Sequence, residues 1–112
     1  MQLSHVHDAS GATVVRLVGE LDAGTVPQVR DYLESVLRPG RLVLDLRDVT
    51  FLDCAGIETL VRTHERVRRR GGWLCLTEVP HHVRWLLGIT GTEALLDAED
   101  HSTEDVLRTA SG

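Results

Sequence analysis

The sequence predicts an α/β fold, with a mixed sheet of four or five strands and helices packed mainly on one side. Three observations predict it. Two strand-like runs come first, Leu3 and His5 and then Val14 to Val18, separated by a Ser10-Gly11 turn too short for a crossover, so they must be antiparallel. Helical and strand-like segments then alternate, which is the pattern of parallel strands joined by helices. Finally, between Arg41 and Gly71 an apolar block ends at Asp53-Cys54-Ala55-Gly56 and the period of the apolar residues changes at once from strand-like to helical.

Taken in order, Gly19-Glu20-Leu21-Asp22 ends the second strand. Thr25-Val26-Pro27 opens a helix, because proline is tolerated in a first turn whose N–H groups have no helical partner. Its buried stripe is Val29, Leu33, Val36 and Leu37, and Pro39-Gly40 stops it. Val43, Leu44, Leu46, Val49, Phe51 and Leu52 read as a buried parallel strand with its approach, with Asp45 and Asp48 as turn residues. Asp53 is placed to cap the next helix, in which Ile57, Leu60, Val61, His64 and Val67 share one face. Gly71-Gly72 ends that helix, and Trp73 to Thr77 form the next strand. Pro80 starts a short helix with Val83, Leu86 and Leu87 on one side, bounded by Gly88 and Gly91. An edge strand at Leu95-Leu96 and a last helix, capped by Ser102 or Thr103 and running through Leu107 and Ala110, complete the pattern.

At 112 residues, 42% of them hydrophobic, the chain reads as one domain spanning 1–112 with one core. No window approaches the roughly 20 apolar residues of a membrane span, so no direct membrane insertion is expected. The first eight residues have neither a basic start nor an apolar run, so no secretory signal is expected and the reading is cytoplasmic. In that compartment Cys54 and Cys75 are read as small buried residues rather than a disulfide. The net charge of −5 argues against nucleic-acid binding. Against that background Arg66, Arg68, Arg69 and Arg70 form a local basic cluster, read either as favourable charge at a helix C-terminus or as a surface for an acidic partner. Every basic side chain other than histidine is arginine, which excludes lysine chemistry such as a phosphate-loop nucleotide site or a Schiff base.

Catalysis finds little support. Cys54 at a helix start is a candidate nucleophile, but His64 lies ten residues on, about 15 Å along the axis, too far to act as its base. His64 sits on the apolar stripe and reads as a packed, hydrogen-bonded residue; His81-His82 reads as a solvent-facing pair. His5 and His7 share a strand face, yet neither they nor His81-His82 have the spacing of a closed zinc site, so no metal and no cofactor is expected.

The ordered landmarks resemble the STAS domains, and more closely the small anti-sigma factor antagonists of bacteria. The resemblance covers nearly the whole chain. It is carried by Gly19-Glu20-Leu21-Asp22, by Phe51-Leu52-Asp53 leading into a small-residue helix start that ends in Gly56, and by Gly71-Gly72; Arg84-Trp85-Leu86-Leu87 with Thr90-Gly91 adds to it. It implies a STAS-like fold and a non-enzymatic role in transcription regulation, a partner-switching module that binds an ATP-binding serine kinase doubling as an anti-sigma factor. In such antagonists a serine directly after the aspartate is phosphorylated, within Asp-Ser-Ser/Thr-Gly. Here that place holds Cys54, followed by Ala55, so the phospho-acceptor-equivalent position has no hydroxyl and phospho-regulation at this turn is not expected.

By their place in the chain, the expected partner-contact residues are Glu20, Asp22 and Thr25 at one strand-to-helix junction and Asp53, Cys54, Ala55, Gly56, Glu58 and Arg62 at the next. Asp22 reads equally as a turn residue, and Glu58 with Arg62 as a surface pair worth about 0.3 kcal/mol. Cys54 is open to two further readings, a redox-sensitive thiol or a small packing residue where strand meets helix. An alternative to partner switching is a structural STAS subunit of a larger stress-signalling or transport assembly. A small-ligand module is disfavoured because no glycine-rich phosphate loop is present.

Overall fold

A computed structural model describes residues 1–92 of the chain. The elements run in the order β1 (Gln2–His7), β2 (Thr13–Leu21), α1 (Val26–Val36), β3 (Arg41–Leu52), α2 (Cys54–Arg69), β4 (Trp73–Thr77) and α3 (His81–Ile89). The strand at Leu95-Leu96 and the last helix expected from the sequence lie outside the described residues. Among those residues the sheet has four strands in the order β1-β2-β3-β4, with β1 antiparallel to β2 and the other neighbours parallel.

One face of this sheet is apolar. Val15, Leu17, Leu42, Leu44, Leu46, Leu74 and Leu76 are buried there and form one cluster with Val29 and Leu33 of α1, Ile57, Leu60 and Val67 of α2, and Val83 and Leu87 of α3. Burying leucine and valine side chains this way contributes about 1.5–3 kcal/mol each, which is what holds helices to a sheet whose hydrogen bonds alone contribute little net stability. The other face carries Ser4, Val6, Arg16 and Trp73, all exposed. Cys75 is buried, as expected; Cys54 is exposed, against expectation.

The strand β3 departs from the sequence reading. Thr13 to Leu21 of β2 pair with Leu42 to Leu52 of β3, so β3 carries two more residues than its partner and the register shifts twice, between Arg16 and Val18 and between Gly19 and Glu20. These irregularities are β-bulges, each of which reverses the side-chain parity of the strand beyond it. The buried positions accordingly run Leu42, Leu44, Leu46, Val49, Leu52, changing from a spacing of two to a spacing of three. Phe51, expected to be buried, is 48% exposed, and Val43 is half-buried. Asp45 and Asp48 are strand residues and not turn residues. Asp48 accepts hydrogen bonds from the Arg16 guanidinium across the sheet, with Nε at 3.0 Å, and Asp45 Oδ1 accepts from Arg47 N at 3.0 Å. Gly19 takes up the second bulge with φ +122°, a conformation that side-chain-bearing residues rarely adopt.

Helix α1 is tied to α2 through one carboxylate. Glu34 accepts from Arg66 at 2.9 Å and from Arg70 at 3.2 Å, so two members of the arginine cluster are engaged within the fold. His64, expected to be hydrogen-bonded, has a buried Nδ1 with no partner among the described residues, the cost of placing a histidine on an otherwise apolar stripe. Helix α3 contains Gly88 and ends past Ile89, with Gly91 at φ +71° closing it.

Two glycines are required by close approach. A Cβ at Gly56 would lie 2.5 Å from Leu21 O and 2.6 Å from Leu52 Cδ1, and one at Gly72 would lie 1.9 Å from Gly40 O. In urea unfolding monitored by circular dichroism, Gly56→Ala and Gly72→Ala are each expected to lose about 1–3 kcal/mol, because backbone on the other side cannot yield as a side chain can. Gly71→Ala has nothing within 4 Å and suffers only from its φ of +82°. It should therefore lose less than Gly72→Ala, the comparison that separates packing from backbone strain.

Candidate functional site

The site is built where β2 and β3 end side by side. Parallel pairing places Glu20 beside Phe51 and Leu21 beside Leu52, so the turns leaving the two strands are neighbours at one sheet edge. They are also stitched together: Asp53 N donates to Leu21 O at 3.4 Å, and Gly56 rests against that same carbonyl.

The second junction folds as its sequence dictates. Asp53 is extended, with φ −114° and ψ −173°, and its Oδ1 accepts from Gly56 N at 3.0 Å, one of the N-terminal N–H groups that a helix cannot satisfy itself. This is the cap expected from the sequence. Cys54 is the first residue of α2 and is exposed; Ala55 is half-buried and Gly56 fully buried. The packing account of Cys54 therefore does not apply, since the residue that must be small at the strand-to-helix contact is Gly56.

At the first junction the carboxylate of Asp22 accepts from Gly24 N at 2.9 Å and from Thr25 N at 3.1 Å. Thr25 Oγ1 donates to Glu20 O at 2.8 Å and accepts from Asp22 N at 3.0 Å. Asp22 and Thr25 thus hold the turn, and of the two readings open for Asp22 the hydrogen bonds support the turn residue. Thr25 is the N-cap of α1 by position but makes no side-chain cap; the first helical N–H, that of Val26, donates instead to the Asp22 carbonyl at 2.9 Å. Glu20 is exposed.

Further along α2, Glu58 and Arg62 form the expected ion pair, their side chains 60% and 72% exposed, where screening by water leaves little net stability. Both line a groove of about 440 Å³ between α1 and α2, floored in part by Ala55 and Val26. The sequence reading missed two features of this region. Phe51 is exposed beside Glu20, on the outward side of a strand whose whole apolar run reads as buried in the sequence. Arg30 of α1 lines the groove opposite α2, and its only trace in the sequence is its four-residue spacing from Val26.

The histidines gather no chemistry. His5 Nδ1 lies 2.5 Å from the Tyr32 hydroxyl and His7 Nδ1 3.0 Å from Thr13 Oγ1, with the two rings edge to face at 5.2 Å. Partial burial, then the Arg38 guanidinium and His5, hold the His7 imidazole below its ordinary pKa. His81 and His82 are exposed at the start of α3. Among the described residues no cluster of three or more histidine, cysteine, aspartate or glutamate side chains could hold a metal ion, and no helix is long and apolar enough to cross a membrane.

Comparison with known proteins places this mixed α/β fold. The anti-sigma-B factor antagonist of Bacillus subtilis (strain 168) is 31% identical over 84 residues, spanning 74% of this chain and 77% of that protein. Among solved structures, the anti-sigma factor antagonist SpoIIAA in its unphosphorylated form has the same fold, with a TM-score of 0.70 at 18% identity over 84% of each chain. So does a sulfate transporter family protein from Wolinella succinogenes, with a TM-score of 0.65 at 23% identity over 80% of each chain. The STAS domain profile matches residues 4–108, and the chain belongs to the STAS domain family.

Proposed function

We propose that this chain is an anti-sigma factor antagonist-like partner-switching module, which docks an ATP-binding, kinase-type anti-sigma factor on the paired junctions and is not phospho-regulated at the second of them. The relation to the Bacillus subtilis anti-sigma-B factor antagonist supports the general role. The observation that carries the finer reading is Cys54, exposed at the first position of α2, directly after a capping aspartate and beside the Asp22 turn. The position is open to a partner, and neither its thiol nor the Ala55 methyl offers a hydroxyl to a serine kinase.

The chemistry explains why a hydroxyl here would switch binding and its absence would fix it. A phosphoryl group adds about −1.5 to −2 charge, and at this place it would stand next to Asp53, near exposed Glu20 and Glu58. A helix N-terminus tolerates an anion, but desolvating that charge across an interface opposes docking. With Cys54 in place of a hydroxyl residue, the docking surface stays available whatever the nucleotide state of the partner. Glu20, Phe51, Cys54, Ala55 and Glu58 form the accessible part of this surface. Asp22, Thr25, Asp53 and Gly56 hold its shape, and Arg62 borders it.

Two outcomes check the proposal. In calorimetry with a purified kinase-type anti-sigma factor, the wild-type chain should bind as tightly after incubation with Mg-ATP as with Mg-ADP; phosphate located within residues 53–56 by mass spectrometry would overturn the reading. Cys54→Asp places one negative charge at the position and is expected to weaken binding about 30-fold or more, equivalent to about 2 kcal/mol. Cys54→Ala should bind like the wild type.

A further inference from the structure

We propose that the groove between α1 and α2 receives an acidic segment of the same partner protein, an inference that rests on the docking just proposed and fixes its orientation. The groove begins at Ala55, beside Cys54, and runs along α2 as far as Arg69. At about 1.5 Å per residue that is roughly 20 Å, room for several turns of a helix or a short extended strand. Arg30 stands on the α1 wall, and Glu58, Arg62, Glu65, Arg66 and Arg69 on the α2 wall. Cations outnumber carboxylates there on a chain whose net charge is −5, so the groove is a local reversal of sign.

The internal pairings sharpen this reading. Arg62 is engaged by Glu58 and Arg66 by Glu34. Arg30 and Arg69 are both exposed, and among the described residues neither has an ion-pair partner. They line the groove from different helices, which leaves two guanidiniums for groups from outside. Opposite in sign, the junction end carries exposed Glu20, which has no ion-pair partner among the described residues. A partner matching both would present basic groups to the junction and acidic groups to the groove, so the two patches set the direction in which it lies on α2. Glu65 on the rim disfavours a compact free anion such as phosphate, whereas a polypeptide can space its carboxylates around it.

The test uses the full chain and the purified kinase-type anti-sigma factor, with binding measured by calorimetry at low and at physiological salt. Arg30→Glu/Arg69→Glu should bind at least about tenfold more weakly and with a shallower salt dependence. Arg30→Lys/Arg69→Lys should stay within about threefold of the wild type, since it keeps both charges. The lysine variant should unfold at the wild-type temperature, and the reversal variant, which sets a carboxylate in the last turn of α2, should unfold only a few degrees lower and remain folded at the temperature of the binding measurement. Wild-type binding that survives the charge reversal unchanged overturns this inference and leaves the proposed docking intact. Failure of the wild type to bind overturns both. Saturable binding of inorganic phosphate to the wild type that is lost in the reversal variant assigns the groove to small anions and also overturns it.

Discussion

Everything at the paired junctions depends on one close approach, that of the first turn of α2 to the carbonyl of Leu21. A single hydrogen atom at Gly56 makes it possible; a methyl group would fall 2.5 Å from that oxygen. Because the approach is backbone against backbone, it sets the height of α2 above the end of β2, and with it the distance between two turns that come from different parts of the sequence. The Asp53 N–H bond to the same carbonyl closes the junction from the other side. The surface at this edge is therefore a property of the sheet and not of two independent loops.

This rigidity divides the polar residues of the junctions into two kinds. Asp22 and Asp53 have committed their carboxylates to backbone N–H groups of their own turns, which gives each turn one conformation and leaves those oxygens less able to meet a partner. Glu20, Phe51, Cys54 and Glu58 carry no such duty, apart from the screened pair of Glu58 with Arg62. A surface made this way is preorganised, so a binding partner loses little by ordering it. The same logic holds on α2. Arg66 and Arg70 meet on Glu34 and fasten α1, while Arg69, between them in sequence, takes no part in that contact.

Strong local signals are legible in the sequence. Asp53 as a cap, the change of period at Ile57, the Ser10-Gly11 turn and the strand at Trp73 to Thr77 all arise from residue types whose preferences tertiary contacts reinforce. The features that escape a sequence reading depend on partners distant in the chain. No local feature marks the two bulges of β3, because a bulge is defined only against the neighbouring strand, and so Asp45 and Asp48 resemble turn residues; Phe51 resembles core because an unbroken apolar run does not show which of its residues face outward. Cys54 escapes for a related reason. The pattern announces a small residue at the contact between strand and helix, but only the geometry shows that Gly56 fills that role and that Cys54, two positions earlier, is exposed.

The paired bulges have one more effect, which concerns how this strand tolerates change. Pleating is a matter of odd and even, and each bulge swaps one for the other. One swap alone would have sent Leu52 into solvent and lifted α2 off the sheet at its root; the second restores the original phase, and Leu52 again points inward beneath the helix. Between the two swaps lies a short window, Asp48 to Thr50, in which the outward residues are those an uninterrupted strand would have hidden. An insertion or deletion of one residue in that window scrambles the anchoring of α2, whereas an in-phase change of two leaves it seated.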